Sequence, residues 1–231
     1  MADVQKVLDM KIAALIPVHN EARTIGRIVE QLKAKNIDTV VVDDGSSDGS
    51  GNAALKKGAV VIFNEIKSGK GYSLRRGFAY LLKAGYDGVI VMDGDGQHDV
   101  SDIDGFISKA IARAGIVSGN RMQNSKGMPV VRYLTNRFMS SLISLACGQF
   151  IPDTQCGYRY ISADVLRHIE LKCNDFEIET EILIKACRHG FNVQSVPIKT
   201  IYQDEESKIN PLKDTIRFIV YFAKEVFSFR D

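Results

Sequence analysis

Short runs rich in valine and isoleucine alternate with helical segments in the first part of this chain. The strand-like runs are Ile12 to Val18, Thr39 to Val42, Ala59 to Phe63 and Gly88 to Met92, and the helix-like segments are Glu21 to Ala34 and Tyr72 to Ala84. Nearly continuous apolar strands joined by helices are typical of a mostly parallel sheet that is covered by helices on both faces. Ligands of such sheets bind at the carboxyl ends of the strands. We therefore predict an α/β fold with its functional site at that edge.

The composition is that of one globular domain. The chain has 231 residues, a net charge of +2 and no linker-like or low-complexity tract, so we predict a single domain over residues 1–231. A charge so near neutrality argues against a nucleic-acid-binding protein, which normally carries a basic surface.

The cysteines and the apolar segments bear on location. The four cysteines have neither Cys-x-x-Cys pairing nor zinc-ligand spacing and are predicted to be reduced, mostly buried thiols of a cytoplasmic protein: Cys147, Cys156, Cys173 and Cys187. We expect no signal peptide and no membrane-spanning segment. Residues 211–231 are predicted to form an amphipathic helix, and the pattern leaves open whether it lies on a membrane surface or packs on the domain.

Two carboxylates follow the last of the apolar runs directly. Asp93 and Asp95 are separated and followed by glycines, an arrangement that can hold a divalent metal beside a phosphate-bearing ligand. A calcium loop is the first alternative, but His98 occupies the place where such a loop needs glycine, and a strand rather than a helix leads into it. A solvated turn is the second alternative.

Polar segments also follow the earlier strands. Pro17 to Glu21 follows the first run and Asp43 to Asp48 follows the second, but neither contains the Gly-x-Gly-x-x-Gly turn of dinucleotide-binding proteins. Gly69-Lys70-Gly71 lacks the upstream glycine and the following Ser or Thr of a phosphate-binding P-loop. Dehydrogenase and ATPase functions are therefore disfavoured.

Taken in order, these segments resemble the inverting glycosyltransferases of family two, which have the GT-A fold. The matching elements are Pro17-Val18-His19-Asn20-Glu21, Asp43-Asp44-Gly45-Ser46-x-Asp48, Gly69-Lys70-Gly71 with Arg76-Gly77-Phe78, and Asp93-x-Asp95-x-Gln97-His98. Three later segments resemble the branch that contains the dolichyl- and polyprenyl-phosphate sugar synthases: Gly119-Asn120-Arg121, Asp153 to Arg159, and Glu206-Ser207-Lys208. The resemblance covers roughly residues 11–210.

The resemblance implies a donor site for a nucleotide diphosphate sugar. The residues that it places there are Pro17, His19, Asn20, Glu21, Asp43, Asp44, Lys70 and Asp93. Asp44 and its neighbour Asp43 would accept hydrogen bonds from the nucleobase, and Lys70 would contact the diphosphate. Asp93, Asp95 and Gln97 would hold Mg²⁺ or Mn²⁺ against that diphosphate.

The resemblance also implies a cationic acceptor site. Arg121, Arg132, Arg159 and Lys208 would bind the acceptor phosphate, and Asp95, Arg121 and Lys208 would carry the catalytic roles. Of the cations, Arg121 and Lys208 are favoured over Arg132. The chain departs from the synthases where Arg132 is followed by Asn136 rather than by the expected serine.

The expected function is metal-dependent, inverting transfer of a sugar from GDP-mannose or a UDP-sugar to a polyprenyl or dolichyl phosphate, on the cytosolic face of a membrane. One alternative keeps the donor site and uses a hydroxyl acceptor, for which Asp153 or Glu205 would serve as the general base. Another is a nucleotide-sugar-binding subunit without turnover.

Overall fold

The structure is a computed structural model that describes residues 10–125, residues 127–199 and Phe222. Its centre is a sheet of seven strands in the order β3-β2-β1-β4-β6-β5-β7. The strands are β1 Ile12–Val18, β2 Asp38–Asp44, β3 Val60–Asn64, β4 Gly88–Val91, β5 Ile116–Asn120, β6 Arg159–Ser162 and β7 Val193–Pro197.

Helices connect most of the strands and cover the sheet. They are α1 Ile25–Ala34, α2 Ser50–Lys56, α3 Lys70–Lys83, α4 Ile103–Ile111, α5 Val130–Cys147, α6 Ala163–His168 and α7 Ile178–Arg188, with 3₁₀ turns at Val100–Asp102 and Met122–Asn124. In α1 the buried side chains Ile25, Ile28, Val29 and Leu32 recur at helical spacing. Among the described residues no helix is both long and apolar enough to cross a bilayer.

The sheet is mostly parallel, as predicted, and contains one reversed strand. β6 pairs antiparallel with β4 on one side and with β5 on the other, whereas every other pair in the sheet is parallel. The beginning of β6 therefore lies at the same edge as the carboxyl ends of β4 and β5. This places the segment that enters β6 beside the acidic turn that follows β4.

Two apolar cores lie on the two faces of the sheet, and β1 shows how one strand serves both. Ala14, Ile16 and Val18 belong to one buried cluster, and Ala13 and Leu15 belong to the other. This alternation explains the unbroken apolar sequence of the strand, because side chains on both faces are removed from water.

The predicted strand at Ile12 to Val18 has the observed bounds, but the first helix begins later than predicted. α1 starts at Ile25, whereas the sequence favours Glu21 as its first residue. The Thr24 hydroxyl donates to the backbone carbonyls of Glu21 and Gly94, which ties this segment to the acidic turn. Residues 19–23 therefore form a loop at the functional edge.

Candidate functional site

The end of β2 is held by its own carboxylates. Asp43 accepts hydrogen bonds from the backbone N–H groups of Ser46 and Gly51, both at 2.9 Å, so it shapes the turn and the start of α2. A cleft of about 200 Å³ opens beside it, bounded in part by Ser46, Phe63 and Asn64. Asp43 is thus both a lining residue of the cleft and a structural residue of the loop.

Asp44 is equally engaged. Its carboxylate accepts from Asn64 Nδ2 at 2.7 Å, from Ser68 N at 2.8 Å and from Gly69 N at 2.9 Å, and its backbone oxygen lies 2.9 Å from His19 Nδ1. Burial alone would raise the pKa of Asp44, but these donors outweigh it and lower the pKa. The carboxylate is therefore an anchor for the loop that leads to α3.

The loop that leaves β1 is joined to the loop that leaves β2. Ser47 N donates to Asn20 Oδ1 at 2.9 Å, and Glu21 N donates to Ser50 Oγ at 2.7 Å. Pro17 is the last-but-one residue of β1, directly before this joined pair of loops. The predicted donor residues of the first two strand ends thus form one hydrogen-bonded unit.

Lys70 begins α3, and the glycines on either side of it lie against a different part of the chain. A Cβ on Gly71 would lie 2.9 Å from the carbonyl oxygen of Asp175, and one on Gly69 would collide with the carbonyl of Asn174. Tyr72 N donates to that same Asn174 carbonyl at 3.0 Å. The two glycines therefore allow the start of α3 to pack closely against the backbone of residues 173–175.

The Lys70 ammonium lies between two carboxylates. Its Nζ is 2.5 Å from Asp93 Oδ1 and 2.6 Å from Glu179 Oε1, which belongs to the first turn of α7. Burial would lower the pKa of Lys70, but the charges of Asp93 and Glu179 outweigh it and raise the pKa. Lys70 is therefore a fixed positive charge beside the acidic turn.

The acidic turn itself is closed by His98. Asp93 N donates to His98 Nδ1 at 3.2 Å, and the buried imidazole stacks on Tyr158 with the ring centroids 5.0 Å apart. Gln97 N donates to Asp95 Oδ1 at 2.9 Å. The histidine that a calcium loop would not tolerate here is an internal support of the turn.

The pKa values of the two carboxylates in this turn are shifted in opposite directions. Burial would raise the pKa of Asp93, but the neighbouring Lys70 ammonium lowers it well below the ordinary value. Burial raises the pKa of Asp95, and the negative charge of Asp93 adds to that effect. Asp95 is consequently the group in this turn that an added cation would stabilise most.

This donor set fits Mg²⁺ or Mn²⁺. In residues 10–125 and 127–199 no three His, Cys, Asp or Glu side chains are grouped closely enough to hold a metal. Mg²⁺ sites at phosphate ligands typically use only one or two carboxylates together with water and phosphate oxygens. Asp95, Asp93 and the Gln97 carboxamide carry oxygen donors of that kind.

Arg121 is occupied by a buried ion pair. Its Nε and Nη2 donate to the two carboxylate oxygens of Asp153 at 2.8 and 2.9 Å, and its backbone N–H donates to the same carboxylate at 3.1 Å. The Arg121 side chain is 7% exposed and that of Asp153 is fully buried. The sequence favours Arg121 as an acceptor ligand, and Asp153 as a possible base, but in the structure each neutralises the other.

Arg159 is likewise turned inward. It is 2% exposed. Its guanidinium donates to the backbone carbonyls of Glu179 at 2.8 Å, Cys156 at 3.1 Å and Thr154 at 3.3 Å. The sequence predicts an acceptor-phosphate role for Arg159, whereas these contacts fix the segment that enters β6 and the first turn of α7.

Arg132 differs from the other two arginines. It is half-buried near the start of α5, and within the described parts of the chain it forms no hydrogen bond or ion pair. One turn later on the same helix, Asn136 is buried, and its Nδ2 has no hydrogen-bond partner there either. Among the described residues Arg132 is therefore unengaged, whereas Arg121 is paired with Asp153.

The rest of α5 exposes apolar side chains. Val131, Leu134, Phe138 and Leu145 are all more than half exposed, and Phe150 just beyond the helix is 84% exposed. The helix contains arginines at 132 and 137 and no aspartate or glutamate. An apolar, cationic helix thus borders the segment that carries Asp153.

Lys208, Glu205 and the predicted helix at 211–231 lie outside the described residues, apart from Phe222, which packs against one of the two cores.

Residues 13–170, which include β2 to β6 and all of β1 except Ile12, match the family described as "Glycosyl transferase family 2". This chain is a family 2 glycosyltransferase. The match confirms the resemblance drawn from the sequence.

Curated relatives extend the match over most of the chain. An uncharacterised protein of Methanocaldococcus jannaschii is 32% identical over 88% of this chain and 86% of its own length. A protein of Methanococcus voltae named UDP-N-acetylglucosamine–dolichyl-phosphate N-acetylglucosaminyltransferase is 30% identical over 85% of this chain and 88% of its own length.

Solved structures support the fold of this glycosyltransferase. Glucosyl-3-phosphoglycerate synthase of Mycobacterium tuberculosis, crystallised with Mn²⁺, UDP and glucosyl-3-phosphoglycerate, superposes with a TM-score of 0.74 at 18% identity, over 99% of this chain and 84% of that one. The predicted GT-A fold is confirmed.

Sequence reasoning missed two residues of the glycosyltransferase site. Glu179 contacts Lys70, and Gly157 lies so close that a Cβ there would be 2.8 Å from Asp93 Oδ2. Gly157 lies within the segment Asp153 to Arg159 that carries the resemblance, but the segment alone gives it no role. Glu179 lies in the first turn of α7, and its distance from Lys70 along the chain hides their contact.

Proposed function

We propose that this enzyme transfers a sugar, with inversion, from a nucleotide diphosphate sugar to a polyprenyl or dolichyl phosphate at the cytosolic face of a membrane. The observation that carries the proposal is helix α5, which combines exposed apolar side chains with Arg132 and the buried Asn136, whose Nδ2 has no hydrogen-bond partner among the described residues. A lipid phosphate has both an apolar chain and an anionic head. The name of the Methanococcus voltae relative points to the same class of acceptor.

On the donor side, Asp93, Asp95 and Gln97 would bind Mg²⁺ or Mn²⁺. When bound, such a cation stabilises the negative charge that develops on the leaving nucleoside diphosphate. Lys70 adds a fixed positive charge next to this turn. The joined loops at the ends of β1 and β2, which carry His19, Asn20 and Glu21, would enclose the nucleoside.

On the acceptor side, the proposal requires no general base. A phosphate monoester is largely anionic at neutral pH and attacks without losing a proton in the same step, unlike a hydroxyl. Asp153, a base candidate for a hydroxyl acceptor, is fully buried and paired with Arg121. Arg132 and Asn136 would instead hold the acceptor phosphate by charge and by hydrogen bonding.

Access to the acceptor follows from the exposed face of α5. Leu134 and Phe138 are 60% and 61% exposed and lie one turn apart. A helix with an apolar face, two arginines and no acidic side chain suits the interface of an anionic membrane. The proposal therefore places the enzyme peripherally on the membrane.

Transfer of radiolabel from a panel of UDP- and GDP-sugars to a short polyprenyl phosphate in detergent tests the proposal directly, with Mn²⁺, with Mg²⁺ and with excess chelator. Labelled lipid from one donor, abolished by the chelator, is expected. Metal-dependent donor hydrolysis without labelled lipid, in a panel that also yields glycosylated soluble alcohols, would overturn the lipid acceptor and keep the donor site.

A further inference from the structure

The Lys70 ammonium occupies a position on Asp93 that a divalent cation would also need. Its Nζ is 2.5 Å from Asp93 Oδ1 and 2.6 Å from Glu179 Oε1. A cation that binds Asp93 and Asp95 must therefore compete with an ammonium already in place. The outcome of this competition depends on whether the Lys70 ammonium still has a carboxylate partner after it separates from Asp93.

The surroundings of Lys70 make an unpaired ammonium costly there. The Lys70 side chain is 13% exposed, and the Glu179 side chain is 18% exposed. The Phe176 ring lies 5.7 Å from Nζ and covers another side. Removing one partner of a buried ion pair typically costs several kcal/mol, because the remaining charge stays desolvated.

Neighbouring residues hold Glu179 where its carboxylate can stay paired with the Lys70 ammonium. Its backbone carbonyl accepts from Arg159 Nη1 at 2.8 Å. A Cβ on Gly157 would be 3.1 Å from Glu179 Oε1 and 3.2 Å from Lys70 Nζ, so a side chain at position 157 would crowd both groups. The segment that enters β6 therefore packs directly against the second partner of Lys70.

We propose that Glu179 is a positioning residue that retains Lys70 in the site when a divalent cation displaces it from Asp93. The inference rests on the metal site of the proposed function and deepens it. In that exchange every charge would stay paired, because Lys70 would remain with Glu179 while Asp93 and Asp95 would hold the cation. It also leaves Lys70 as a second positive charge beside the position of the donor diphosphate.

Mn²⁺ binding to the intact protein without nucleotide tests this, with free Mn²⁺ followed by electron paramagnetic resonance. Four proteins form a cycle: wild type, Glu179→Gln, Lys70→Met and the double variant. Glu179→Gln should weaken Mn²⁺ binding by on the order of tenfold, because Lys70 then has only Asp93 as partner. Lys70→Met should tighten binding, because the competitor is gone.

The double variant separates retention of Lys70 from a simple loss of negative charge. If Glu179 acts through Lys70, Glu179→Gln has little effect in the Lys70→Met background, and the coupling between the two substitutions exceeds about threefold in affinity. Equal weakening in both backgrounds, or no tightening in Lys70→Met, would overturn the inference. Thermal unfolding of each variant verifies that all four are folded.

Two further variants distinguish the failure of this inference from the failure of the metal site. Glu170→Gln removes a carboxylate that is 77% exposed and should leave Mn²⁺ affinity unchanged. Asp95→Asn should abolish tight Mn²⁺ binding. If it does not, the metal site of the proposed function is wrong; if it does while the cycle shows no coupling, only the role of Glu179 is wrong.

Discussion

We call the loops that follow β1, β2 and β4 the donor edge of the proposed site, and α5 with Arg121 and Asp153 the acceptor edge. The two edges use charged side chains in opposite ways. At the ends of β1 and β2, Asp43 and Asp44 bind backbone N–H groups and shape the loops. Beyond β5, Arg121 forms a buried ion pair with Asp153. The helix α5 there exposes apolar side chains and carries the half-buried Arg132. A charged residue near a ligand site can therefore belong to the scaffold, and its hydrogen-bond and ion-pair partners within the protein show when it does.

The largest effect should come from breaking the internal pair of the acceptor edge. Asp153→Ala leaves the Arg121 guanidinium buried without a partner, which should lower the free energy of unfolding by about 3–5 kcal/mol. Arg132→Gln is the matched variant and should change stability by less than about 0.5 kcal/mol while it raises the KM for the acceptor. Urea unfolding measures the first quantity, and initial rates with varied acceptor measure the second. Similar stability losses in both variants would erase the distinction between the two arginines.

The next effect tests the metal assignment on the donor edge. Asp95→Asn should reduce metal-dependent turnover by more than about 100-fold, since loss of a direct ligand exceeds the effect typical of outer partners. Its unfolding curve should match that of the wild type. Asp104→Asn, which alters a carboxylate that is 70% exposed, is the control. Wild-type turnover in Asp95→Asn would exclude this residue from the metal site.

A smaller effect concerns the scaffold role of Asp44. Its pKa is lowered in the folded protein, so its contribution to stability is fully present above the ordinary carboxyl range and is lost as the pH falls through the folded value. Asp44→Asn should cost about 1–2 kcal/mol at neutral pH. It should also flatten the decline of the unfolding free energy below about pH 4. Parallel declines in the two proteins, measured by urea unfolding from pH 7 downwards, would contradict the anchor role.

The smallest effect is expected on the apolar face of α5. Replacing Leu134 and Phe138 together by serine should leave stability nearly unchanged, because both side chains are exposed. Partition onto anionic liposomes should fall by on the order of tenfold, since apolar area inserted into the interface is lost. Flotation assays compare this variant with Tyr80→Ser, which alters an exposed aromatic side chain on α3. Equal partition of both variants would remove α5 from the membrane contact.

The sequence was sufficient for features that depend on local pattern. The period of apolar residues located β1 at its observed bounds, and the motif order identified the family. Pairings over long distances were not accessible, because the same period fits a parallel or an antiparallel neighbour. Glu179 lies far along the chain from Lys70, and nothing local announces their contact. For the same reason Arg121 and Arg159 could be recognised as motif residues but not as buried groups.

The reversed strand β6 has a consequence for how this enzyme can diversify. β5 ends and β6 begins side by side, with Ser118 opposite Arg159, so the chain between them leaves the sheet and returns at neighbouring points. That excursion contains the whole of α5. Its length and surface can change without shifting the pairing of β5 with β6, and the loops that follow β1, β2 and β4 lie outside it.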